Sequence, residues 1–301
     1  MTVKNKAYLA LAFVSIAWGT TYFGIRVVVQ HIPPYLFAGA RQTLAGLLMF
    51  GIALLQKEKF QWSWKSIQQH ALVGLLLIAG GNGFVCWGEQ HIESNIAAII
   101  CSMMPLFAVL INIVLVPQER INKKIILGLI LGFAGIAYMF KSSWHLLLNP
   151  MYAWGVAALF AATMIWALGS IVNKKITNNT APLSNAGWQQ FIGGCIMFVI
   201  SAFTENHHDI DWQHSDVIAA YFYLVIVGSV MAYTFYLYTL RNLPIGIVTI
   251  YAYINPIVAI ILGTVFLKEA FNWNIPIAVA LIISGIICVN WGYKAIKKNA
   301  Q

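Results

Sequence analysis

Residues 38–50, AGARQTLAGLLMF, return 148 positions later as residues 186–198, AGWQQFIGGCIMF. Ala38, Gly39, Gln42, Gly46, Met49 and Phe50 match Ala186, Gly187, Gln190, Gly194, Met197 and Phe198, six identities in thirteen positions. Biased composition alone does not give that. The same shift pairs Ala10, Leu11 and Trp18 with Ala158, Leu159 and Trp166. A shift of 151 pairs Pro105 with Pro256 and Ala108 with Ala259, and a shift of 150 pairs Glu119 with Glu269 and Gly135 with Gly285. The chain therefore contains itself twice, as residues 1–143 and 150–295, followed by a basic tail at 296–301.

Both copies are apolar. Of 301 residues, 60% are hydrophobic and 9% charged, whereas soluble domains carry about 25% charged residues. The chain lacks the material for a polar shell, which leaves membrane helices. A membrane β-barrel would alternate apolar and polar residues in short segments, and these runs are apolar on every side. The net charge of +9 does not point to nucleic acid, because the basic residues sit at the ends of apolar runs. Cys86, Cys101, Cys195 and Cys288 lie inside such runs without motif spacing and read as inert thiols. Lys4 and Lys6 before the first run imitate a signal peptide, but the run is long enough to be a span.

A spanning helix needs about 20 apolar residues. Ten stretches qualify: 7–28, 35–55, 71–90, 95–116, 124–141, 152–173, 184–203, 217–240, 246–267 and 273–293. Trp62, Trp64, Trp144, Trp212, Trp273 and Trp291 fall near the breaks, as an interfacial belt would. Gly128, Gly132 and Gly135 suit close helix contact, within the chain or in a homodimer. With the N-terminus in the cytoplasm, fourteen basic residues fall inside (Lys4, Lys6, Lys57, Lys59, Lys65, Arg120, Lys123, Lys124, Lys174, Lys175, Arg241, Lys294, Lys297, Lys298). Two, Lys141 and Lys268, fall outside, and Arg26 and Arg41 lie within spans. The asymmetry predicts a multi-pass cell (inner) membrane protein with both termini cytoplasmic. Five spans per copy force the second copy to insert upside down. Inverted repeats characterise secondary transporters, with a site near the midplane.

The motifs resemble the drug/metabolite transporter superfamily, specifically its EamA-type members. They are AWGTTYFGIR (17–26), AGARQTLAG (38–46), GGNGFVCWGE (80–89) and SMMPLFAVL (102–110) in the first half. YAYINPIVAIILGTVFLKE (251–269) and ISGI (283–286) carry the second. The resemblance covers essentially the whole chain. It implies ten helices and export of amino acids or other small metabolites. It also implies a cavity lined by spans one to four and six to nine, with the fifth and tenth as supports.

Ionisable residues in a span are costly, roughly 2.5–3.5 kcal/mol or more, so each is a candidate. Arg41 could bind a substrate carboxylate in a fork. Glu89, at similar depth in the third span, could exchange a proton or a substrate amine for that contact; the alternative is a fixed Arg41–Glu89 pair between helices. Gln189 stands where the repeat would place Arg41, so the second half offers amides, Gln189 and Gln190, in place of charge. Gln42 is the repeat counterpart of Gln190. Asn82 sits among glycines that loosen the third span. Asn112, Asn173 and Asn290 read as interhelical glue. Pro105 and Pro256 should kink equivalent spans and serve as hinges, with Ser102, Tyr253 and Asn255 within a turn of them. Trp18, Tyr22 and Trp166 could form an aromatic wall. His207, His208 and His214 with Asp209 and Asp211 form an outer loop, read as a flexible solvated segment and not assigned a metal, with metal ligation the lesser alternative. No P-loop is present, and no cofactor or catalytic constellation is expected. The functional expectation is a secondary transporter that exports a small solute, most plainly an amino acid or relative, coupled to protons or exchange. A passive channel or, further off, a membrane enzyme are the alternatives.

Overall fold

A computed structural model describes residues 1–58, 63–115, 122–142, 144–176, 182–207, 210–243, 245–248 and 251–299. Ten helical elements organise them: α1 (Val3–Val29), α2 (Pro34–Leu55), α3 (Trp64–His91), α4 (Ser94–Cys101 continued by Met104–Leu115), α5 (Lys123–Met139), α6 (Pro150–Ile176), α7 (Pro182–Thr204), α8 (Ser215–Asn242), α9 (Tyr251–Phe266) and α10 (Asn274–Asn299). Eight of these, all but α5 and α9, contain a stretch long and apolar enough to cross a bilayer. The described parts of α5 and α9 run 17 and 16 residues.

The local reasons are conventional. Thr2, Ser63 and Asn122 accept from the backbone N–H three residues on, which satisfies a donor at the start of α1, α3 and α5. Pro34, Pro150 and Pro182 open α2, α6 and α7 at the position where a missing N–H costs nothing. Among the large exposed side chains are Leu47, Leu54, Ile130, Trp154, Phe203, Ile261 and Val265, whereas Arg41, Glu89, Gln189 and Gln190 are buried. Apolar groups face outward and polar groups inward, the arrangement lipid requires.

Packing between the halves follows one pattern. α2 lies against α7, α5 against α10 and α4 against α9. α1 packs on α8 and α9, and α6 packs on α3 and α4. Exchanging each helix for the one five places away leaves this set unchanged. Close approach at α2/α7 rests on glycine. A Cβ at Gly46 would stand 2.7 Å from the Phe191 nitrogen and 2.9 Å from the Gly187 oxygen, and one at Gly187 would stand 2.8 Å from Phe50. In α5/α10, a Cβ at Gly285 would stand 2.6 Å from the Gly128 oxygen. In the glycine row of α5, Gly128 and Gly135 thus face α10, whereas a Cβ at Gly132 would meet Leu106 of α4.

Two features were not foreseen. Gly74–Asn82 in α3 and Leu224–Met231 in α8 are π-helical, and a shift of 150 superposes their starts. The wider winding re-aims side chains and often marks functional segments. The two prolines also behave differently. α4 breaks at Ser102 and Met103, just ahead of Pro105, where the ring cannot accept the preceding helical turn. Pro256 lies inside a continuous α9.

Candidate functional site

Where the four-helix sets of the two halves meet, a cavity opens with a volume of about 710 Å³, a figure that includes the space at its mouth. Each of α1–α4 and α6–α9 contributes to its wall, and α5 and α10 stand outside it. Trp18, Tyr22, Arg41, Gln42, Asn82, Trp166, Gln190 and Asn255 all line it. These eight candidates come from six helices and from both halves.

Among the described residues, Arg41 is the one charged side chain in that lining. It is 2% exposed. Its Nε donates to Ser229 Oγ at 2.9 Å, and its guanidinium lies 5.9 Å from the Phe37 ring centre. Its Nη1 has no hydrogen-bond partner. Around it, Gln42 Nε2 donates to Asn82 Oδ1 at 3.0 Å and Gln190 Nε2 donates to the Ser229 carbonyl at 3.2 Å. Each amide thereby uses its donor, and the Gln42 and Gln190 Oε1 atoms are left buried without a partner. A buried polar group left unpaired costs about 1–3 kcal/mol. Three residues of the lining thus hold one cationic donor and two amide acceptors that are buried and unpartnered.

Aromatic side chains gather on another part of the wall. Trp18 stands 5.4 Å from Trp166, 4.8 Å from Tyr236 and 5.1 Å from Tyr251, centre to centre. Trp18 Nε1 donates to the Gly228 carbonyl at 3.2 Å, which ties α1 to the π-helical turn of α8. Asn255, with its amide oriented to donate, reaches the Tyr251 oxygen at 3.0 Å and the Ser15 oxygen at 2.9 Å. A Cβ at Gly81 would come 2.6 Å from Trp166, so the π-helical turn of α3 needs glycine to meet that ring.

Other candidates lie elsewhere. Gln189 is buried outside the cavity lining, donating to Asn173 Oδ1 at 3.1 Å and accepting from the Tyr233 hydroxyl at 2.6 Å. Its role is to hold α6, α7 and α8 together. Ser102 Oγ donates to the Ile99 carbonyl at 2.7 Å and likewise stays off the wall. The side chain of Tyr253, and those of Asn112, His208 and Asp209, lie outside the described residues. Arg41 and Glu89 do not form an ion pair: Arg41 turns to Ser229, and Glu89 is fully buried with both carboxylate oxygens unpartnered. Arg26 from α1 is the cation beside it, donating from Nη1 to the Glu89 main-chain oxygen.

Sequence reasoning missed Thr21, Thr163, Ser229, Tyr233 and Tyr251 on the wall. Ser229 is invisible without the π-helical winding. It also missed three carboxylates that cross between halves. Glu205, after α7, accepts from the Tyr35 and Leu36 nitrogens at 2.7 and 2.9 Å, capping α2. Glu58, after α2, accepts from the Ser184 nitrogen at 3.1 Å, capping α7. Glu269, after α9, accepts from the Ser94 and Asn95 nitrogens at 2.7 and 3.2 Å, capping α4. Lys57 and Lys268, just before two of these glutamates, take left-handed φ values of 55° that turn the chain toward the capped helix. The Glu119–Glu269 repeat match was the one available signal.

A helical, apolar bundle with a cavity between two similar halves fits a multi-pass membrane transporter of small solutes. The chain belongs to the EamA-like transporter family, whose model matches it twice, at residues 5–141 and 153–291. It is 32% identical over 284 residues to the uncharacterized inner membrane transporter YedA of Escherichia coli K12, covering 94% of this chain and 90% of that one. It is 28% identical over 298 residues to the protein PecM of Dickeya dadantii, covering 96% and 92%. The uncharacterized transporter YvbV of Bacillus subtilis is 25% identical over 299 residues, covering 99% and 95%. One solved crystal structure superposes with a TM-score of 0.71 over 97% of this chain and 99% of that chain, at 18% identity, which shows a shared fold.

Proposed function

We propose that this protein exports a small polar metabolite, an amino acid or a close relative, by alternating access, with flux coupled to protons or to exchange. The observation that carries the reading is the buried Arg41, its Nη1 unpartnered, among the residues that line a cavity shared by both halves. A solute carboxylate satisfies Nη1, and an ammonium, hydroxyl or amide on the same solute satisfies Gln42 and Gln190. Trp18, Trp166 and Tyr251 receive its apolar part or, over a ring face, its ammonium. An amino acid meets all three demands.

In this reading, residues 1–143 and 150–295 are five-span repeats of opposite orientation, both termini and the tail at 296–301 are cytoplasmic, and the halves rock about Pro105 and Pro256. The exchange pattern of helix contacts supports it, because two equivalent sets of contacts are what alternating access trades. Glu89 is the coupling residue. A buried carboxyl with no fixed partner can take up and release a proton as its surroundings change. A passive facilitator through the same cavity is the second reading.

Vesicles reconstituted with purified protein and loaded with unlabelled amino acids separate the two. Saturable uptake of labelled solute with counterflow supports a carrier. Non-saturating conductance supports the facilitator and removes the carrier.

A further inference from the structure

We propose that His31, Asp211 and His214 form a binding site for one divalent d-block cation of the zinc class, at the end of the bundle where α1 stops and α8 starts. The outer loop read on its own is a solvated histidine-rich segment. What changes that reading is His31, which the fold brings from the other half of the chain. One ligand atom from each of the three residues lies within 4.8 Å of the other two.

The spacing suits one small ion. His214 Nε2 and Asp211 Oδ2 are 3.1 Å apart. Two ligands held about 2.0–2.2 Å from the same ion, at angles from a right angle to the tetrahedral one, stand about 3 Å apart. The rings of His31 and His214 are 4.6 Å apart, tilted by 44°, so small side-chain rotations bring a nitrogen of each to a common point. Two imidazoles with one carboxylate select zinc, copper, nickel or cobalt over magnesium and calcium, which prefer oxygen ligands alone. Three protein ligands leave a fourth position to water.

The surroundings hold the ligands in place. The Asp211 nitrogen donates to the His31 carbonyl at 3.2 Å, which fastens the loop to the end of α1. The Gln213 nitrogen donates to Asp211 Oδ1 at 2.9 Å, orienting the carboxylate and leaving Oδ2 for the ion. His207 takes no part, since its Nε2 is engaged with Ser201 Oγ at 2.9 Å. The His214 and Asp211 side chains are 51% and 45% exposed, which leaves the site open to solvent. A bound ion would tie α1 of the first half to the start of α8 in the second.

The rival is a surface His–Asp pair in which His31 is a bystander. The full chain, purified in detergent with any polyhistidine tag removed, is titrated calorimetrically with zinc chloride. Cobalt chloride is followed in parallel by its visible ligand-field bands. The expected result is one ion per chain, undisturbed by excess magnesium, with affinity falling about tenfold or more in His31→Ala and in His214→Ala. His31→Gln serves as a second variant at the helix end if the alanine form does not fold. No saturable binding, or binding that survives substitution of His31, overturns the proposal. Because the readout is direct binding, the outcome is independent of whether the protein transports amino acids.

Discussion

Arg41 concentrates the chemistry of the cavity in one side chain. With Nε held by Ser229 and Nη1 unpartnered, it is oriented by the protein and keeps a donor unused. Arg41→Ala is predicted to weaken a carboxylate solute roughly tenfold to a hundredfold, the equivalent of about 1.5–3 kcal/mol for a hydrogen bond to a charged group. Thermal shift of the purified protein against an amino-acid panel reads this, and unchanged affinity removes Arg41 from the site. Arg41→Lys is predicted to fail as well, because one ammonium cannot donate to both Ser229 and a solute in the guanidinium geometry. Gly81→Ala tests the aromatic side. Its Cβ would stand 2.6 Å from Trp166, so the ring must move into the cavity. Transport is predicted to drop with stability changed by about 1–3 kcal/mol at most, checked by uptake and melting on the same preparation. At this scale the sequence singled out Arg41, Gln42, Trp18 and Trp166, which all lie in the cavity lining, because a rare charge, a repeat match and large rings stand out against an apolar background. Gln189 lies off the cavity lining, since adjacent glutamines on a helix face directions about 100° apart: both are buried, but only Gln190 lines the cavity.

Helix ends carry the connections between halves. Glu205, Glu58 and Glu269 each leave one half and cap a helix of the other. Glu269→Gln keeps the shape and removes the charge that strengthens both bonds to the start of α4. It is predicted to cost about 1–3 kcal/mol, read by intrinsic-fluorescence unfolding in detergent. Lys268→Gly, which relieves the left-handed φ of 55°, is predicted to act in the opposite direction by about 0.5–1 kcal/mol. If both substitutions leave the melting temperature alone, the caps are not holding the halves together. The π-helical stretches at Gly74–Asn82 and Leu224–Met231 show why elements were only partly readable. Hydropathy registers an apolar helix of any winding, so the sequence supplied the helices and not the turn that delivers Gly81, Asn82, Gly228 and Ser229 to the cavity.

For the molecule as a whole, the repeat seen at residues 38–50 and 186–198 reappears as α2 lying on α7, each approaching through the glycines that match. That correspondence was legible because backbone contact leaves room for nothing larger than glycine. Orientation in the membrane rests on the basic residues alone. In a background without native cysteines, Asn5→Cys is predicted to react with an impermeant maleimide only after permeabilisation, and Gln213→Cys in intact cells. The reverse pattern would invert the topology. Exchange of solute across the bilayer is the most direct consequence of alternating access. Proteoliposomes preloaded with unlabelled amino acid should accumulate the labelled form transiently against its gradient, saturably, and lose this with Arg41→Ala. Label that only equilibrates, without saturation and regardless of Arg41, would contradict it.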